Sequence, residues 1–172
     1  MSWIMVDVEA DGPIPGDYSM VSIGAVKIEP LLTKTFYAEM RPISEKWNPE
    51  ALSICKFTRE QTMNFEEPCG VMKHFNSWLT SECGKHIFFV SDNAGFDWQF
   101  VNWYFHHFLG SNPFGFSSTD LLSLYQGLIK DMYRKFKHHR KNANPHNALD
   151  DALWNAEALL ELTTKYNLKI NW

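Results

Sequence analysis

Three short segments, far apart in the sequence, carry side chains that could bind metal ions and move a proton. They are Asp7-Val8-Glu9, Asn93-Ala94-Gly95-Phe96-Asp97 and the segment from His146 to Asp151. The segments contain five carboxylates, and a set of four could supply the hard oxygen ligands that suit Mg²⁺; two such ions can activate a water molecule. Histidine titrates near neutral pH, so His146 could accept the proton of that water.

We predict a first strand over residues 3–8. Asp7 and Glu9 are two residues apart at its end. Side chains two apart on a strand share one face of the sheet. Neighbouring carboxylates repel each other, and a divalent cation would keep both ionised. Taken alone, the pair is also compatible with a solvent-facing strand end.

The other two segments are predicted at the starts of helices. Asp97 follows a short buried strand at 86–90, and the ends of such strands are where sites tend to form. Asp151 lies in the first turn of a long helix at 148–166, just after His146. Taken singly, both carboxylates could serve only to stabilise helix N-termini, and His146 could be a cap or a surface residue.

The remaining predicted elements form a frame for these residues. Further strands are predicted at 20–28, 34–40 and 116–119, and helices at 49–53, 69–79, 96–109 and from Asp120 onward. Asn48 and Pro49 are expected to cap and open the first helix. Strands come first and helices alternate with strands later, which predicts an α/β fold with a mixed sheet and helices on both faces.

The bulk composition is that of a globular chain. Its 172 residues, 45% of them hydrophobic, predict one domain over residues 1–172. No stretch approaches the roughly 20 apolar residues of a membrane span, and we expect no secretory signal. Cys55, Cys69 and Cys83 form no CxxC pair, which favours a reduced, cytoplasmic protein without membrane partners.

Positive charge is concentrated in one stretch of an otherwise acidic chain. The net charge of −4 argues mildly against binding nucleic acid by bulk attraction. Basic residues in the stretch 130–141 are opposed only by Asp131; they are Lys130, Arg134, Lys135, Lys137, Arg140 and Lys141. The pattern is equally compatible with phosphate binding and with a solvated helix face.

Together, the three segments resemble the three exonuclease motifs of the DEDDh 3′–5′ exonuclease superfamily, which includes RNase T, oligoribonuclease and polymerase proofreading domains. The motifs occur in that family's order and spacing, and residues 48–58 resemble the segment between its first and second motifs. The spacing of five residues from His146 selects Asp151 over Asp150. The resemblance implies a ribonuclease-H-like mixed sheet of about five strands, with the second strand antiparallel.

The resemblance also implies a site with two Mg²⁺ or Mn²⁺ ions. Asp7 would contact both ions, Glu9 and Asp151 the one on the nucleophile side, and Asp97 the other. His146 would be the general base. The implied reaction is hydrolysis of single-stranded RNA or DNA from the 3′ end to nucleoside monophosphates, with RNA favoured and a homodimer possible.

Substrate contacts are expected around this site. Stacking of bases on aromatic side chains stabilises bound single strands. The candidates are Ala10, Asp11, Gly12, Asn93, Phe96, Trp98, Arg134, Lys135 and Lys137. Asp11 and Asp92 depart from the family pattern, and we expect both to add negative charge near the substrate entrance.

Two alternatives stay open on the sequence. One is an exonuclease that trims or proofreads DNA. The other is a nucleic-acid-binding module with a vestigial site, although all five motif residues are present.

Overall fold

The computed structural model describes residues 1–135 and 146–170. Its strands are β1 (Ser2–Ala10), β2 (Met20–Lys27), β3 (Thr35–Glu39), β4 (Ile87–Ser91) and β5 (Ser118–Asp120), in the spatial order β3-β2-β1-β4-β5. β2 is antiparallel to both neighbours, whereas β1, β4 and β5 are parallel. The predicted α/β fold with a mixed five-stranded sheet and an antiparallel second strand is therefore confirmed.

Helices cover both faces of this sheet. They are α1 (Pro49–Ile54), α2 (Arg59–Met63), α3 (Pro68–Glu82), α4 (Ala94–Leu109), α5 (Leu121–Ile129) and α6 (Ala148–Tyr166). Alternate side chains of β1 point to opposite faces of the sheet. Ile4, Val6 and Val8 pack with α3 and α4, and Met5 packs with α6. The sheet therefore separates two cores and keeps Asp7 and Glu9 on the α6 side.

Local sequence signals explain most helix boundaries. The Asn48 side chain accepts a hydrogen bond from the Glu50 N–H, and Pro49 begins α1, as predicted. Gly110 ends α4 with a left-handed φ of 76°. Helix α2 was not predicted from the sequence; it opens with a reciprocal capping box between Thr58 and Gln61.

A close contact between α6 and β2 sets the position of the third motif. A side-chain carbon on Gly24 would lie 2.2 Å from the backbone carbonyl of Ala148. Gly24 pairs directly with Asp7 across the strands. Because Gly24 has no side chain, the first turn of α6 reaches the sheet beside that carboxylate.

None of the helices within the described residues is both long enough and apolar enough to cross a membrane.

Candidate active site

Asp7 and Glu9 lie on the central strand and form the floor of the site. Gly24 and Ser22 of β2 are their partners across the ladder. The register shifts directly after Glu9, where β1 has a bulge. A bulge changes the direction of the chain and ends regular pairing. The two carboxylates therefore lie on the regular part of β1, and the chain turns away from the ladder after Glu9.

Asp97 reaches the floor from the first turn of α4. The carbonyl of Asn93 accepts hydrogen bonds from the N–H groups of Phe96 and Asp97, which starts the helix at the end of β4. The Asp97 Oδ1 atom accepts a hydrogen bond of 3.1 Å from the Val8 N–H, between Asp7 and Glu9 in the chain. This bond fixes the second motif directly against the first.

Asp151 and His146 reach the site from the start of α6. Asp151 is buried, and its Oδ2 atom accepts a hydrogen bond of 2.9 Å from the His146 N–H. His146 itself is exposed and has a left-handed φ of 67°. One potential ligand atom from each of Glu9, His146 and Asp151 lies within 4.8 Å of the others. The structure thus brings together all five predicted motif residues.

Electrostatic strain marks this cluster. Burial, followed by the negative charges of Asp97, Asp151 and Glu9, raises the pKa of Asp7 well above its usual range. Burial raises the pKa of Asp97 to about 7, although the hydrogen bond from Val8 opposes the shift. Burial also raises the pKa of Glu9. The fold therefore holds several carboxylates where their ionisation costs free energy.

The donor set fits divalent metal ions. Buried carboxylates with raised pKa values gain most from a cation that neutralises their repulsion. Their oxygens are the hard ligands that such ions prefer. His146 adds a nitrogen at the exposed rim of the cluster.

Asp92 adds a further negative charge to the site. Its charge contributes to the raised pKa values of both Asp7 and Asp97. The half-buried Asp92 lies at the end of β4, just before the α4 cap.

The expectation that Asp11 places charge near the substrate entrance is wrong. Its side chain is fully buried and forms an ion pair with Arg59, with 2.9 Å between Nη1 and Oδ2. The Ser19 N–H donates to the other carboxylate oxygen, and the Asn48 N–H donates to the Asp11 carbonyl. Asp11 instead ties α1 and α2 to the end of β1.

Cys55 contacts the site but was missed by the sequence analysis. The thiol lies 3.1 Å from the Glu9 Oε2 atom, and it also donates to the Ala10 carbonyl. Burial raises the pKa of the Cys55 thiol, so it stays protonated and acts as a donor. No local sequence pattern predicts this contact, because it joins residues 46 positions apart.

The predicted substrate contacts have different surroundings. Ala10 and Gly12 are buried, and the ring of Tyr18 covers Gly12. Asn93 is exposed at the α4 cap. Phe96 and Trp98 are half-buried and pack against Phe100 and Phe89, respectively.

The basic stretch is only partly described. Arg134 and Lys135 are exposed and line a surface cavity of about 710 Å³ together with Tyr125 and Tyr133. Among the described residues, none that lines this cavity belongs to the three motifs. Lys137, Arg140 and Lys141 lie outside the described residues.

Comparisons with known proteins agree with the geometry. Residues 2–163 match the model of the 3′–5′ exoribonuclease Rv2179c-like domain. The chain is 39% identical to the 3′–5′ DNA exonuclease Cap18 of Escherichia coli over 178 residues. That alignment covers 97% of this chain and 94% of the relative.

Solved structures share the fold at low sequence identity. The nuclease domain of 3′hExo, a DEDDh family member bound to rAMP, superposes with a TM-score of 0.75 at 16% identity. This match covers 99% of this chain and 96% of that one. A complex of E. coli Exonuclease I with single-stranded DNA gives a TM-score of 0.76 at 14% identity, covering 96% of this chain but 41% of that one. The chain therefore belongs to the Rv2179c-like 3′–5′ exoribonuclease domain family, and it is a nuclease.

Proposed function

We propose that this exonuclease degrades single-stranded nucleic acid, preferably RNA, to nucleoside monophosphates with the help of two Mg²⁺ or Mn²⁺ ions. The observation that carries the proposal is the cluster of buried and half-buried motif carboxylates with the exposed His146 at its rim. The preference for single strands is supported by the solved relative with single-stranded DNA.

Asp7, Glu9, Asp97 and Asp151 would hold the metal ions. When bound, such ions activate the attacking water and stabilise the leaving oxygen. The chain's own contribution is positioning: Val8 fixes Asp97, and the His146 N–H fixes Asp151. Cys55 orients the Glu9 carboxylate through its thiol.

His146 is proposed as the general base. Its side chain lies beside Glu9 and Asp151, where the attacking water would be held. Exposure leaves its ring room to receive a proton and return it to solvent. Its left-handed backbone is an uncommon conformation for a non-glycine residue, and such conformations often occur at functional sites.

The nucleic-acid strand would contact the residues that surround Asp7 and Glu9. Phe96 and Trp98 flank Asp97 and are half-buried, so each keeps some ring surface for stacking on a base. Asn93, which is exposed at the start of α4, would contact the terminal nucleotide, whereas the buried Ala10 and Gly12 would support the site from beneath. Arg134, Lys135 and Lys137 would bind phosphates farther along the strand, within one subunit or across a homodimer.

DNA is the second candidate substrate. The matched family is described as an exoribonuclease domain, which supports RNA. The E. coli relative is named a DNA exonuclease, which supports DNA. The reaction on both polymers would use the same carboxylates, so the choice depends on contacts to the sugar.

A direct competition tests the preference. Equal amounts of a 5′-labelled RNA oligomer and a DNA oligomer of the same sequence, with different dyes, are digested together with Mg²⁺ and, separately, with Mn²⁺. We expect the RNA to shorten at least several-fold faster. Faster loss of the DNA strand under both ions would replace RNA by DNA as the proposed substrate.

A further inference from the structure

Two half-buried residues of the edge strand β3 lie on the same face of the sheet as the motif carboxylates. Tyr37 pairs with Gly24, which in turn pairs with Asp7. Glu39 lies two residues farther along β3, in the cross-strand row that contains Glu9. The intervening residues of β3 pack with the core on the opposite face. Tyr37 and Glu39 therefore face the layer that holds α6.

The start of α6 lies over the middle of the row formed by Asp7, Gly24 and Tyr37. A side-chain carbon on Gly24 would lie 2.2 Å from the backbone carbonyl of Ala148, and α6 contacts β3 as well as β1 and β2. The first turn of α6 therefore lies between Asp7 on β1 and Tyr37 on β3. Asn147, which directly precedes Ala148, is placed beside the same row.

Hydrogen bonds connect Tyr37 to the cap of α6. The Tyr37 hydroxyl donates to the Glu39 Oε1 atom at 2.8 Å. Burial and this bond raise the pKa of Tyr37, whereas a hydrogen bond with the Asn147 side chain opposes the rise. The Asn147 Oδ1 atom already accepts from the N–H groups of Leu149 and Asp150. The Asn147 amide N–H is therefore the group that donates to Tyr37, and the bonds run in one direction from α6 to β3.

Asn147 is also the neighbour of His146 in the chain. The His146 side chain is exposed, so its position depends on its backbone more than on packing. That backbone is left-handed, and its N–H donates to Asp151. The bonds of Asn147 hold it from the other side, with the α6 cap and with Tyr37.

We propose that Tyr37 and Glu39 are positioning residues for the reaction and hold His146 in place through Asn147. Neither residue touches the reacting atoms in this role. A general base acts only when it lies within hydrogen-bond reach of the attacking water, so a small displacement of His146 slows the reaction. This inference rests on the proposed role of His146 as general base.

Single variants separate positioning from substrate binding. Tyr37→Phe keeps the ring and removes the hydroxyl. It should lower kcat about 10-fold, with less than about a 2-fold change in KM for a single-stranded oligomer and in the half-saturating Mg²⁺ concentration. A rise in KM with unchanged kcat would place the pair at the substrate and overturn the proposal.

A conservative change of Glu39 tests the other partner. Glu39→Gln keeps an acceptor for the Tyr37 hydroxyl and should retain most of kcat. Glu39→Val removes the acceptor and should lower kcat as much as Tyr37→Phe does. Equal kcat values for the two Glu39 variants would show that the hydrogen bond between Tyr37 and Glu39 is not needed.

A double-mutant cycle tests whether Tyr37 acts through His146. In the His146→Ala protein, Tyr37→Phe should change the remaining kcat by less than about 2-fold, because the side chain that it positions is absent. A loss of the same size in both backgrounds would overturn the proposal. Full activity of His146→Ala would overturn the assigned base and this inference together, whereas a wild-type protein that shortens no oligomer would overturn the proposed function itself.

Tyr104→Phe is the matched control for the loss of a tyrosine hydroxyl. Tyr104 lies in α4, in the core on the opposite face of the sheet, and its hydroxyl accepts a hydrogen bond of 2.8 Å from the Met20 N–H. This variant should lower the midpoint of thermal unfolding and leave kcat unchanged. A kcat loss equal to that of Tyr37→Phe would mean that reduced stability explains both and would refute the positioning role.

Discussion

At the residue scale, the clustered carboxylates of the site destabilise the folded protein when they are ionised. Asp7, Asp97 and Asp151 are brought together by β1, α4 and α6. Burial is the largest cause of the raised pKa of Asp7, and repulsion by the other carboxylates adds to it. Without metal ions the fold is destabilised by this arrangement. With metal ions the same arrangement binds them, so stability and activity conflict at these positions.

The pKa of Asp97 makes this conflict measurable. In the unfolded chain the carboxyl ionises near 3.8, and in the folded, metal-free protein near about 7. Between pH 3.8 and about 7, the Asp97 carboxyl is protonated in the folded protein but ionised in the unfolded chain. The free energy of unfolding therefore falls as pH rises through this window. In EDTA, Asp97→Asn should therefore be more stable than wild type at pH 8 by on the order of 1–3 kcal/mol. That corresponds to about 2–4 °C in the midpoint of thermal unfolding for each kcal/mol.

The pH dependence and a metal titration check the origin of that gain. The difference between Asp97→Asn and wild type should be small at pH 4 and grow up to about pH 7. Excess Mg²⁺ or Mn²⁺ should stabilise wild type more than the variant. A variant less stable than wild type in EDTA at pH 8 would refute the cost of burying the ionised Asp97 carboxylate as the cause.

The residues that the sequence revealed and those that it did not differ in a physical way. Asp7, Glu9 and Asp97 lie within short motifs, whose spacing is visible along the chain. The contact between Cys55 and Glu9 depends on the tertiary fold alone. The same holds for the burial of Asp11 against Arg59, which turned an expected surface charge into a buried ion pair.

At the element scale, the start of α6 determines whether the site forms. The boundaries of α6 were predicted from its apolar pattern, and the structure agrees at Ala148 and Tyr166. The close approach depends on Gly24, and an isolated glycine within a strand is a recognisable signal for it. By contrast, α2 has only five residues, too few for an apolar period to be visible.

Substituting Gly24 should therefore damage the site from a distance. The added carbon of Gly24→Ala would lie 2.2 Å from the Ala148 backbone, so the first turn of α6 must move. We expect a loss of about 1–3 kcal/mol in the free energy of unfolding. Displacement of His146 and Asp151 by about 1 Å should cost on the order of 100-fold in kcat/KM.

Gly127→Ala is the matched control for this substitution. Gly127 lies in α5, and an added carbon there meets no atom within 4 Å. This variant should gain up to about 1 kcal/mol from helix propensity and keep full activity. Equal activity of the Gly24 and Gly127 variants would show that α6 does not need its close contact with β2.

At the scale of the whole molecule, charge is divided between a negative site and a positive stretch. The carboxylate cluster lies at the carboxyl ends of β1 and β4, and the described basic residues Arg134 and Lys135 follow α5. A nucleic-acid strand would be held at its 3′ end by the carboxylate site and farther along by contacts of its phosphates with the basic residues. The homodimer remains a prediction that light scattering of the intact protein can test.

The central claim is that the three motifs assemble one metal-dependent site that removes nucleotides from the 3′ end. The most direct measurement follows a 5′-labelled single strand digested by wild type, Asp151→Asn and Asp150→Asn, each with Mg²⁺ and with EDTA. The buried Asp151 contacts His146, whereas Asp150 is its half-buried neighbour outside the cluster. We expect a shortening ladder for wild type and Asp150→Asn, abolished by EDTA, and at least 100-fold slower shortening for Asp151→Asn. Equal ladders from Asp151→Asn and wild type, or a ladder that persists in EDTA, would contradict it.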